Sequence, residues 1–555
     1  MRSPDPTRLS AARSRTPTSS TNRRAIARFA FALTAIVLAA RFWFIFHRAI
    51  DIDEFEHVHA TWAVSRGLVP YADFFEHHTP WLYLLFAPLF QRFQTDTDPA
   101  AAVSLLLWCR LAMWVVTVAT VMQTCALGTM RRDRCTGALA AALLVTSSQF
   151  VNKMLDFRPD VPALFFFLAS LTAAAGAWRA ARTRTAAVGF LASGIAFGAA
   201  VMFTQKYLFA APGLAVGLLV YAATDNDISK RARIWRAAWF VIGVTIPIVL
   251  TMWWFQSHHA LGEFVDATVA TNIRLNGDRG LSLPQRIVTS VVHGPAVYGF
   301  GLAGLVASAR LRAGPDAMLT CAAGSLLVGL LLIGRAYDQY FLSVLPLLAV
   351  FGAAFADDLL TAIGARLRPD LVPRTVIALL PAASLAALVF FTHERGTTQG
   401  LLMIAGFGAA ALLAAWALRI WPRGRPVAAV GVALTGLFAF SLGNLARSFE
   451  SSERQLAALV WVTQHTSPAD TALGECPGPA VFRKHAWFYF FLTGPFASER
   501  DYAELLDGLE SRRIRPQIVM VDSPNPWQRF PVEVRQYVAR HYQPVQRGIF
   551  ERIAE

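Results

Sequence analysis

The sequence predicts an all-α polytopic membrane protein that ends in a small α/β domain. Of its 555 residues, 55% are hydrophobic and only 16% are charged, whereas soluble domains carry about 25% charged residues. The hydrophobic residues gather in long blocks, and a helix needs about 20 such residues to cross a bilayer. The 40 Phe and 15 Trp exclude a disordered chain, and the five Cys are too few for a disulfide scaffold.

The chain begins with a basic tail, residues 1–28, that is rich in Arg, Ser, Thr and Pro and has too few apolar residues to form a core. The apolar run that follows is long enough to span and lacks a small-residue cleavage site, so it predicts a membrane helix rather than a signal peptide. The predicted transmembrane domain, 29–445, contains thirteen spans. They lie at 29–47, 104–127, 135–150, 161–178, 186–203, 207–223, 237–255, 291–308, 315–333, 338–356, 375–392, 400–418 and 427–445.

A further apolar segment at 80–93 is too short to span and predicts an interfacial or re-entrant helix. The distribution of basic residues supports this count, because cytoplasmic loops carry an excess of Lys and Arg. With thirteen spans and a cytoplasmic N-terminus, the cytoplasmic segments hold 25 Lys and Arg in 87 residues, and the outer segments hold 11 in 112. The net charge of +15 therefore reflects the cytoplasmic loops of a membrane protein and not a nucleic-acid partner. We expect the protein in the cytoplasmic membrane of a bacterium, with its N-terminus in the cytoplasm.

The same count places the last segment, 446–555, outside the membrane. Its composition changes, since the short apolar run 518–521 is bounded by Pro516 and Pro524, and 501–513 has helical spacing. We expect a small α/β domain on the outer face.

The first outer loop, 48–100, contains the most polar chemistry. Asp51 is followed three residues later by Glu54, which resembles a capping box at a helix start. Apolar residues then recur at helical spacing on one face, so an amphipathic helix is expected on the outer surface. These apolar residues are Phe55, Val58 and Trp62.

Asp53 and Glu54 fall in the first turn of this helix, where the helix dipole favours an ionised carboxylate. A general base must be in that state. The alternative is that both acids only cap a surface helix. The rest of the loop favours a polar pocket at the lipid boundary, because it adds further ionisable residues. They are Glu56, His57, His59, Asp73, Glu76, His77 and His78.

The histidines of this loop have three possible roles: structural hydrogen bonding, substrate contact, or zinc binding together with the carboxylates. Their spacing matches no compact metal-ligand motif. Structural roles are therefore favoured, and His77 and His78, with Glu76, are candidates for substrate contact.

Other outer loops supply cations and one more acid. Asp160 opens the fourth span and is either an N-cap or a functional carboxylate. Lys206 lies in a three-residue loop and either snorkels to the interface or binds a phosphate. Arg274 and Arg335, with Tyr337, are further candidates for substrate binding. Outer acids beside outer cations at a membrane surface indicate a lipid phosphate whose head group faces an attacking group.

Four segments resemble the family C glycosyltransferases, specifically the branch of the protein O-mannosyltransferases and the lipid A aminoarabinose transferase. They occur in the family's order across most of the membrane part, and the tail matches only loosely. The segments are DIDEFEHVHATWAVSRGLVPYADFFEHHTPWL, RPDVPALFFFLAS, GAAVMFTQKYLFAAPG and RAYDQYFLSVLPLLAV.

The resemblance implies an inverting transfer at the outer face, from a polyprenyl-phosphate-linked sugar to a hydroxyl of a lipid, glycan or protein acceptor. Asp53 matches the first-loop acid that acts as general base, with Glu54 beside it. Asp160 matches the second-loop acid, and Lys206 matches the Lys that neutralises the leaving phosphate. No cofactor and no divalent ion is implied for this branch.

One departure from the family pattern concerns the donor phosphate. Relatives often carry a Lys before the Pro that closes the first-loop motif, whereas this chain reads Glu76-His77-His78-Thr79-Pro80. A phosphate-binding charge is therefore missing or replaced by His.

Two other functions fit parts of the sequence. A multispan carrier or flippase for an envelope lipid or glycolipid would use the same outward cations, but only Arg41 and Arg110 lie well within spans and no internal repeat is found. An outer binding module on a membrane anchor would not need thirteen spans.

Overall fold

The computed structural model describes most of the chain outside 367–448. The described residues are 20–180, 183–224, 229–275, 294–308, 315–333, 338–366, 449–475, 478–490, 496–521 and 527–553, with isolated positions between 285 and 293 and at 436. The predicted spans at 375–392 and 400–418, and all but one residue of the span at 427–445, lie outside them. So do Arg335 and Tyr337.

The described part of the membrane domain is helical. Its helices are α1 Ser20–His47, α2 Ile52–Ser65, α3 Trp81–Phe90, α4 Pro99–Arg131, α5 Arg134–Val145, α6 Ser148–Lys153, α7 Asp160–Arg179, α8 Thr183–Phe203, α9 Ala211–Thr224, α10 Lys230–Ser257, α11 Leu261–Val265, α12 Thr271–Leu275, α13 Pro295–Ser308, α14 Pro315–Leu332 and α15 Leu345–Arg366. Short 3-10 helices of six residues each occupy Gln205–Ala210 and Asp338–Ser343, and a π turn occupies Asp266–Ala270.

Five of the described helices are long and apolar enough to cross a membrane. They are Arg23–His47, Pro99–Arg131, Asp160–Arg179, Thr183–Phe203 and Lys230–Ser257. The chain is therefore a multi-pass membrane protein, as predicted, while the count of thirteen spans stays a prediction. The short segment at 80–93 forms α3, which is ten residues long with Pro88 inside it.

The predicted span at 135–150 is wrong in its bounds. Helix α5 ends at Val145, and α6 begins after Ser147, whose side chain accepts a hydrogen bond from the Phe150 backbone N–H. The three consecutive hydroxyl residues 146–148 compete for backbone hydrogen bonds and so favour a break between two shorter helices.

Close helix packing occurs where glycines face each other. Gly194 of α8 and Gly243 of α10 lie in direct contact, and a Cβ atom on either would overlap the backbone of the other helix. Small residues at such a crossing let two membrane helices approach closely, which gains van der Waals contact that lipid would not supply.

Charged residues lie at both ends of the helical domain. Helix α4 has 33 residues, which at about 1.5 Å per residue spans about 50 Å. At the end where α4 finishes, Arg23 pairs with Asp133 and Asp357 at 2.5 and 3.0 Å. We call this the far end. Residues of the predicted cytoplasmic segments 1–28, 129–134 and 357–374 thus gather at one end, which agrees with the predicted alternation of loops.

The C-terminal part forms a mixed five-stranded sheet, which confirms the predicted α/β composition. The strand order is β2-β1-β3-β5-β4, parallel from β2 to β3 and antiparallel from β3 to β4. The strands are β1 Thr471–Gly474, β2 Lys484–His485, β3 Ile518–Met520, β4 Tyr542–Gln546 and β5 Ile549–Arg552, and the helices are α16 Glu453–His465, α17 Glu499–Glu510 and α18 Val532–His541.

Backbone contacts join this sheet to the other end of the helical domain, which we call the sheet-side end. The Ala49 N–H donates to the Glu450 carbonyl at 2.6 Å, and the Phe75 N–H donates to the Phe488 carbonyl at 3.0 Å. Helix α2 lies at this junction, where His59 Nδ1 donates to the Val481 carbonyl at 2.8 Å.

The expectation that α2 lies on the outer surface is wrong. Its residues from Glu54 to Ala63 are all buried, because the C-terminal part and α3 cover the face that helical spacing marked as polar. The helix does start where the sequence predicted, since the Asp51 side chain accepts a hydrogen bond from the Asp53 N–H at 3.0 Å.

Candidate active site

The first turn of α2 presents Asp53 to the second loop. Its Oδ2 accepts a hydrogen bond from Arg158 Nη1 at 2.5 Å, and its side chain remains 29% exposed while that of Arg158 is 3% exposed. Asp53 is therefore held in place by a buried guanidinium and still reaches open space, as a group that accepts a proton from a substrate must.

Glu54 points the other way. Its two carboxylate oxygens receive hydrogen bonds from Arg110 Nε at 2.9 Å and Nη2 at 2.8 Å, and both side chains are fully buried. Arg110 also donates to the carbonyls of Arg48 and Ala49 at 2.6 and 2.8 Å. Since Arg110 thereby fixes the chain between α1 and α2, Glu54 orients the loop and does not reach the open space beside Asp53.

Asp160 and Lys206 lie together, as the sequence suggested. Lys206 Nζ is 2.9 Å from Asp160 Oδ1 and 3.8 Å from the centre of the Tyr340 ring. Asp160 is the first residue of α7 and not its N-cap, a position held by Pro159. Lys206 is buried within the 3-10 turn that precedes α9, so it does not simply snorkel to the interface.

Arg158 links these two pairs. Its Nη2 is 3.6 Å from Asp160 Oδ2, on the other side of the guanidinium from Asp53. A continuous chain of alternating charges therefore runs from Asp53 through Arg158 and Asp160 to Lys206, all at the sheet-side end.

A second set of ion pairs flanks this chain. Lys153 Nζ lies 2.6 Å from Asp51 Oδ2, and Arg48 pairs with the buried Asp156. Burial would raise the pKa of Asp51, but Lys153 and Arg158 outweigh it, so its pKa lies below its ordinary value. Asp51, which caps the first turn of α2, is therefore ionised and is held in place by its ion pair with Lys153.

A large cavity of about 720 Å³ opens beside Lys206. Gln205 and Asn272 both donate to the His77 carbonyl, at 2.8 and 3.0 Å, so part of the polar lining lies together, and the remaining lining residues are mostly aliphatic and aromatic. The polar lining is His77, His78, Thr79, Gln205, Lys206, Thr268 and Asn272. This shape and lining suit a long apolar chain that carries a polar head.

Glu76, His77 and His78 meet Glu56 at the edge of this cavity. Glu76 Oε1 accepts hydrogen bonds from the His77 and His78 N–H groups at 2.8 and 3.0 Å and from His78 Nδ1 at 2.9 Å. Three of the four side chains are buried and that of His77 is nearly so, and one possible ligand atom of each lies within 4.8 Å of the others. They could hold a metal ion.

Arg274 lies apart from this group. It pairs with Asp266 at 3.0 Å, and both side chains are about two-thirds exposed. The two line a second cavity of about 750 Å³ that also contacts Tyr489 and Phe496. The structure therefore does not bring Arg274 to Lys206, although Phe496 lines both cavities.

Sequence reasoning assigned no role to two residues that organise the site. Arg158 stands two residues before Asp160, in a motif that was noted only for its acid. Its position between Asp156 and Asp160 was the signal that the sequence offered. Tyr340 offers the face of its ring to Lys206, which no local sequence pattern indicates.

Comparison with known proteins gives a fold but no sequence family. No protein-family model matches the chain, and no curated protein matches it. Among solved structures, ArnT from Cupriavidus metallidurans bound to undecaprenyl phosphate superposes with a TM-score of 0.67 at 12% identity, covering 95% of this chain and 98% of that one. ArnT in the apo state gives a TM-score of 0.66 at 14% identity, covering 94% and 96%.

The chain therefore has the fold of the family C glycosyltransferases, the family that the first-loop and second-loop motifs resemble. The superposition covers about 95% of the chain, so the similarity of fold includes both the described helices of the membrane domain and the C-terminal sheet. At this level of identity the comparison defines the fold, and the chemistry rests on this chain's own residues.

Proposed function

We propose that this protein is an inverting glycosyltransferase that moves a sugar from a polyprenyl-phosphate donor to an acceptor hydroxyl. The observation that carries the proposal is the chain of charges from Asp53 to Lys206, because it connects a partly exposed carboxylate to the polar region of an apolar cavity. ArnT, which shares the fold, is described as bound to undecaprenyl phosphate.

The apolar cavity would hold the polyprenyl chain of the donor. Its phosphate would then lie beside Lys206, where Tyr340 and Asp160 already position the ammonium group. A fixed cation at the leaving oxygen stabilises the negative charge that develops there, which is the larger part of the catalysis expected at such a site.

The transfer would proceed in one displacement. Asp53 accepts the proton of the acceptor hydroxyl as that oxygen forms a bond to the anomeric carbon, and the bond from that carbon to the phosphate oxygen breaks. Both electrons of the broken bond stay with the phosphate, which leaves as polyprenyl phosphate. A single attack from the opposite side inverts the anomeric carbon.

We infer that Asp160 and Arg158 position these groups. Arg158 is buried between the two acids and sets the direction of the Asp53 carboxylate. The Lys206 ammonium group is already paired with Asp160. When the donor phosphate binds, it would take over part of this interaction from the Asp160 carboxylate.

The proposed topology follows the distribution of basic residues. The N-terminus and the far end would face the cytoplasm of a bacterium, and the site and the domain 446–555 would face outward. The acceptor would be a lipid, a glycan or a protein that reaches this face. A phosphatase fused after Glu555 tests this, and a stable but inactive fusion would contradict it.

Asp53→Asn is the direct test of the transferase. Removing a general base lowers the rate by about 10²–10⁴-fold, so transfer from a polyprenyl-phosphate sugar should fall by at least about 100-fold. Asp98→Asn is the matched control, because Asp98 is also a carboxylate at the start of a helix, α4, and it is not part of the charge chain. Full activity of Asp53→Asn would overturn the assignment of the base.

The same assay separates a transferase from a carrier. Transport of a polyprenyl-phosphate lipid by wild type without any glycosylated product would favour the carrier or flippase that shares these sequence features.

A further inference from the structure

The group formed by Glu56 of α2 and the loop residues Glu76, His77 and His78 has unusual composition for a buried region. Two carboxylates and two imidazoles lie close together. Glu56, Glu76 and His78 are buried, and the His77 side chain is 12% exposed. We call this group the Glu-His cluster. It combines oxygen and nitrogen ligands of the kinds that Zn²⁺ and Mn²⁺ take in proteins.

His78 Nδ1 makes a hydrogen bond to Glu76 Oε1 at 2.9 Å, but two other separations within the Glu-His cluster leave room for an ion. His78 Nδ1 is 3.9 Å from Glu56 Oε1, and His77 Nδ1 is 3.6 Å from Glu76 Oε1. Both separations are too long for a hydrogen bond. Ligand bonds of 2.0–2.2 Å in a tetrahedral site place neighbouring ligand atoms about 3.4 Å apart, so small side-chain adjustments would complete the coordination.

One carboxylate oxygen in the Glu-His cluster is available as a ligand. Glu56 Oε1 is buried and makes no hydrogen bond. A buried oxygen left in this state costs free energy, and a bound cation would remove that cost.

We propose that Glu56, Glu76, His77 and His78 bind one divalent transition-metal ion, with Zn²⁺ or Mn²⁺ as the ions that fit the ligand set. Zinc binding was one of three roles left open for the histidines of the first outer loop, but the sequence could not single out these four ligands, because Glu56 is separated from the other three by about twenty residues and the spacing forms no metal motif. Folding of α2 against the loop is what brings the ligands together.

The location of the cluster supplies an entry path and a role. His77 and His78 line the large cavity together with Lys206, so an ion can reach the cluster from that side. Lys206 is already paired with Asp160. A divalent ion would add net positive charge where the donor phosphate is proposed to lie, and this role rests on the proposed function.

The simplest alternative is a protonated His78 shared by the two carboxylates. That arrangement needs no metal, and it predicts that metal-free protein binds no added ion at this position. Metal binding therefore distinguishes the two.

The test uses the full-length protein, purified in detergent without a metal-affinity step and stripped with a chelator. Calorimetric titration with Zn²⁺ and with Mn²⁺ should show about one site, and Mg²⁺, which prefers oxygen ligands, should bind far more weakly. In Glu56→Gln and in His78→Gln the affinity should fall at least tenfold. The control is His258→Asn, since His258 is exposed and distant in sequence from the cluster.

Wild type that binds neither Zn²⁺ nor Mn²⁺ would overturn the proposal, and so would variants that bind like wild type. The wild-type titration gives an answer even when a variant fails to fold, and thermal unfolding of each variant identifies that case.

The metal titration and the transfer assay can fail independently. Binding of one ion without any sugar transfer would keep the site and remove the transferase. Transfer that persists unchanged after chelation, in protein shown to have lost the ion, would keep the transferase and limit the ion to a structural part.

Discussion

Charged residues gather at both ends of the helical domain, but the two groups differ in how far their side chains are exposed to solvent. At the far end Arg132 pairs with Asp357 at 3.4 Å and with Asp358, and these side chains are 13–61% exposed. At the sheet-side end Arg158, Asp160 and Lys206 are 3–10% exposed. Exposed pairs contribute little, about 0–1 kcal/mol, whereas buried charges carry a desolvation cost that the protein must offset.

This difference indicates which end performs chemistry. At the far end, partly exposed ion pairs join the segments 1–28, 129–134 and 357–374 to one another. The sheet-side end accumulates buried charges, orphaned polar atoms and a cavity, and such costs are typically retained at functional sites. The predictions below test this contrast.

Arg158→Gln should have the largest effect. It leaves Asp53 and Asp160 without their shared cation, and breaking a buried ion pair costs about 3–5 kcal/mol. We expect the free energy of unfolding in detergent to fall by that amount and sugar transfer to fall at least about 100-fold. A variant with wild-type stability and activity would show that the buried chain is dispensable.

Lys206→Ala should weaken binding of a polyprenyl phosphate. A hydrogen bond to a charged group contributes about 1.5–3 kcal/mol, so the dissociation constant measured by native mass spectrometry or calorimetry should rise about 10–100-fold. Lys153→Ala is the matched control, because Lys153 is also paired with an Asp at this end, Asp51, but it does not line the cavity. Equal losses in both variants would point to general charge and not to a phosphate site.

Acidification should loosen the contact between α2 and the sheet. Burial, and then His485, lower the pKa of His59 to about 3. His59 binds a proton near pH 6.5 in the unfolded chain and stays neutral at that pH in the folded chain. The free energy of unfolding is therefore unaffected by His59 above about pH 6.5. Between about pH 6.5 and 3 it declines by about 1.4 kcal/mol for each unit by which the pH falls.

His59→Gln should reduce that slope between pH 6 and 4, as measured by thermal unfolding across pH. His258→Asn, at an exposed position, should leave it unchanged. An unaltered slope in His59→Gln would assign the acid sensitivity to other groups.

Asp358→Asn should have the smallest effect. Its side chain is 61% exposed, so we expect a change in the free energy of unfolding below about 1 kcal/mol and unchanged transfer. A loss above about 2 kcal/mol would mean that the two ends differ less than their exposure suggests.

Several features followed from the sequence because they depend on neighbouring residues alone. Five long apolar helices appear where apolar blocks were found, since crossing a bilayer requires only a sufficient run of apolar residues. Asp51 caps α2, and a capping box at Ser498 and Asp501 starts the predicted helix in the C-terminal domain. The sequence identified Asp160 and Lys206 as candidate site residues, but it did not predict that they would form an ion pair.

Other features depended on residues distant in sequence. Glu54 was expected beside the base, but Arg110, more than fifty residues later, binds it instead. Helix α2 was expected at the surface, but residues beyond 480 cover it. Helical spacing identifies an apolar face and cannot show whether another domain will cover the polar one.

The sequence by itself determined the class of protein, the positions of several membrane helices and the loops that carry the polar chemistry. Only the tertiary structure decided which acid remains open, which cation it shares and which four side chains form the Glu-His cluster. The physical reason is that hydrophobic length and helix capping act over a few residues along the chain. Ion pairs and metal ligands require contact within about 4 Å, and packing alone produces that contact between distant segments.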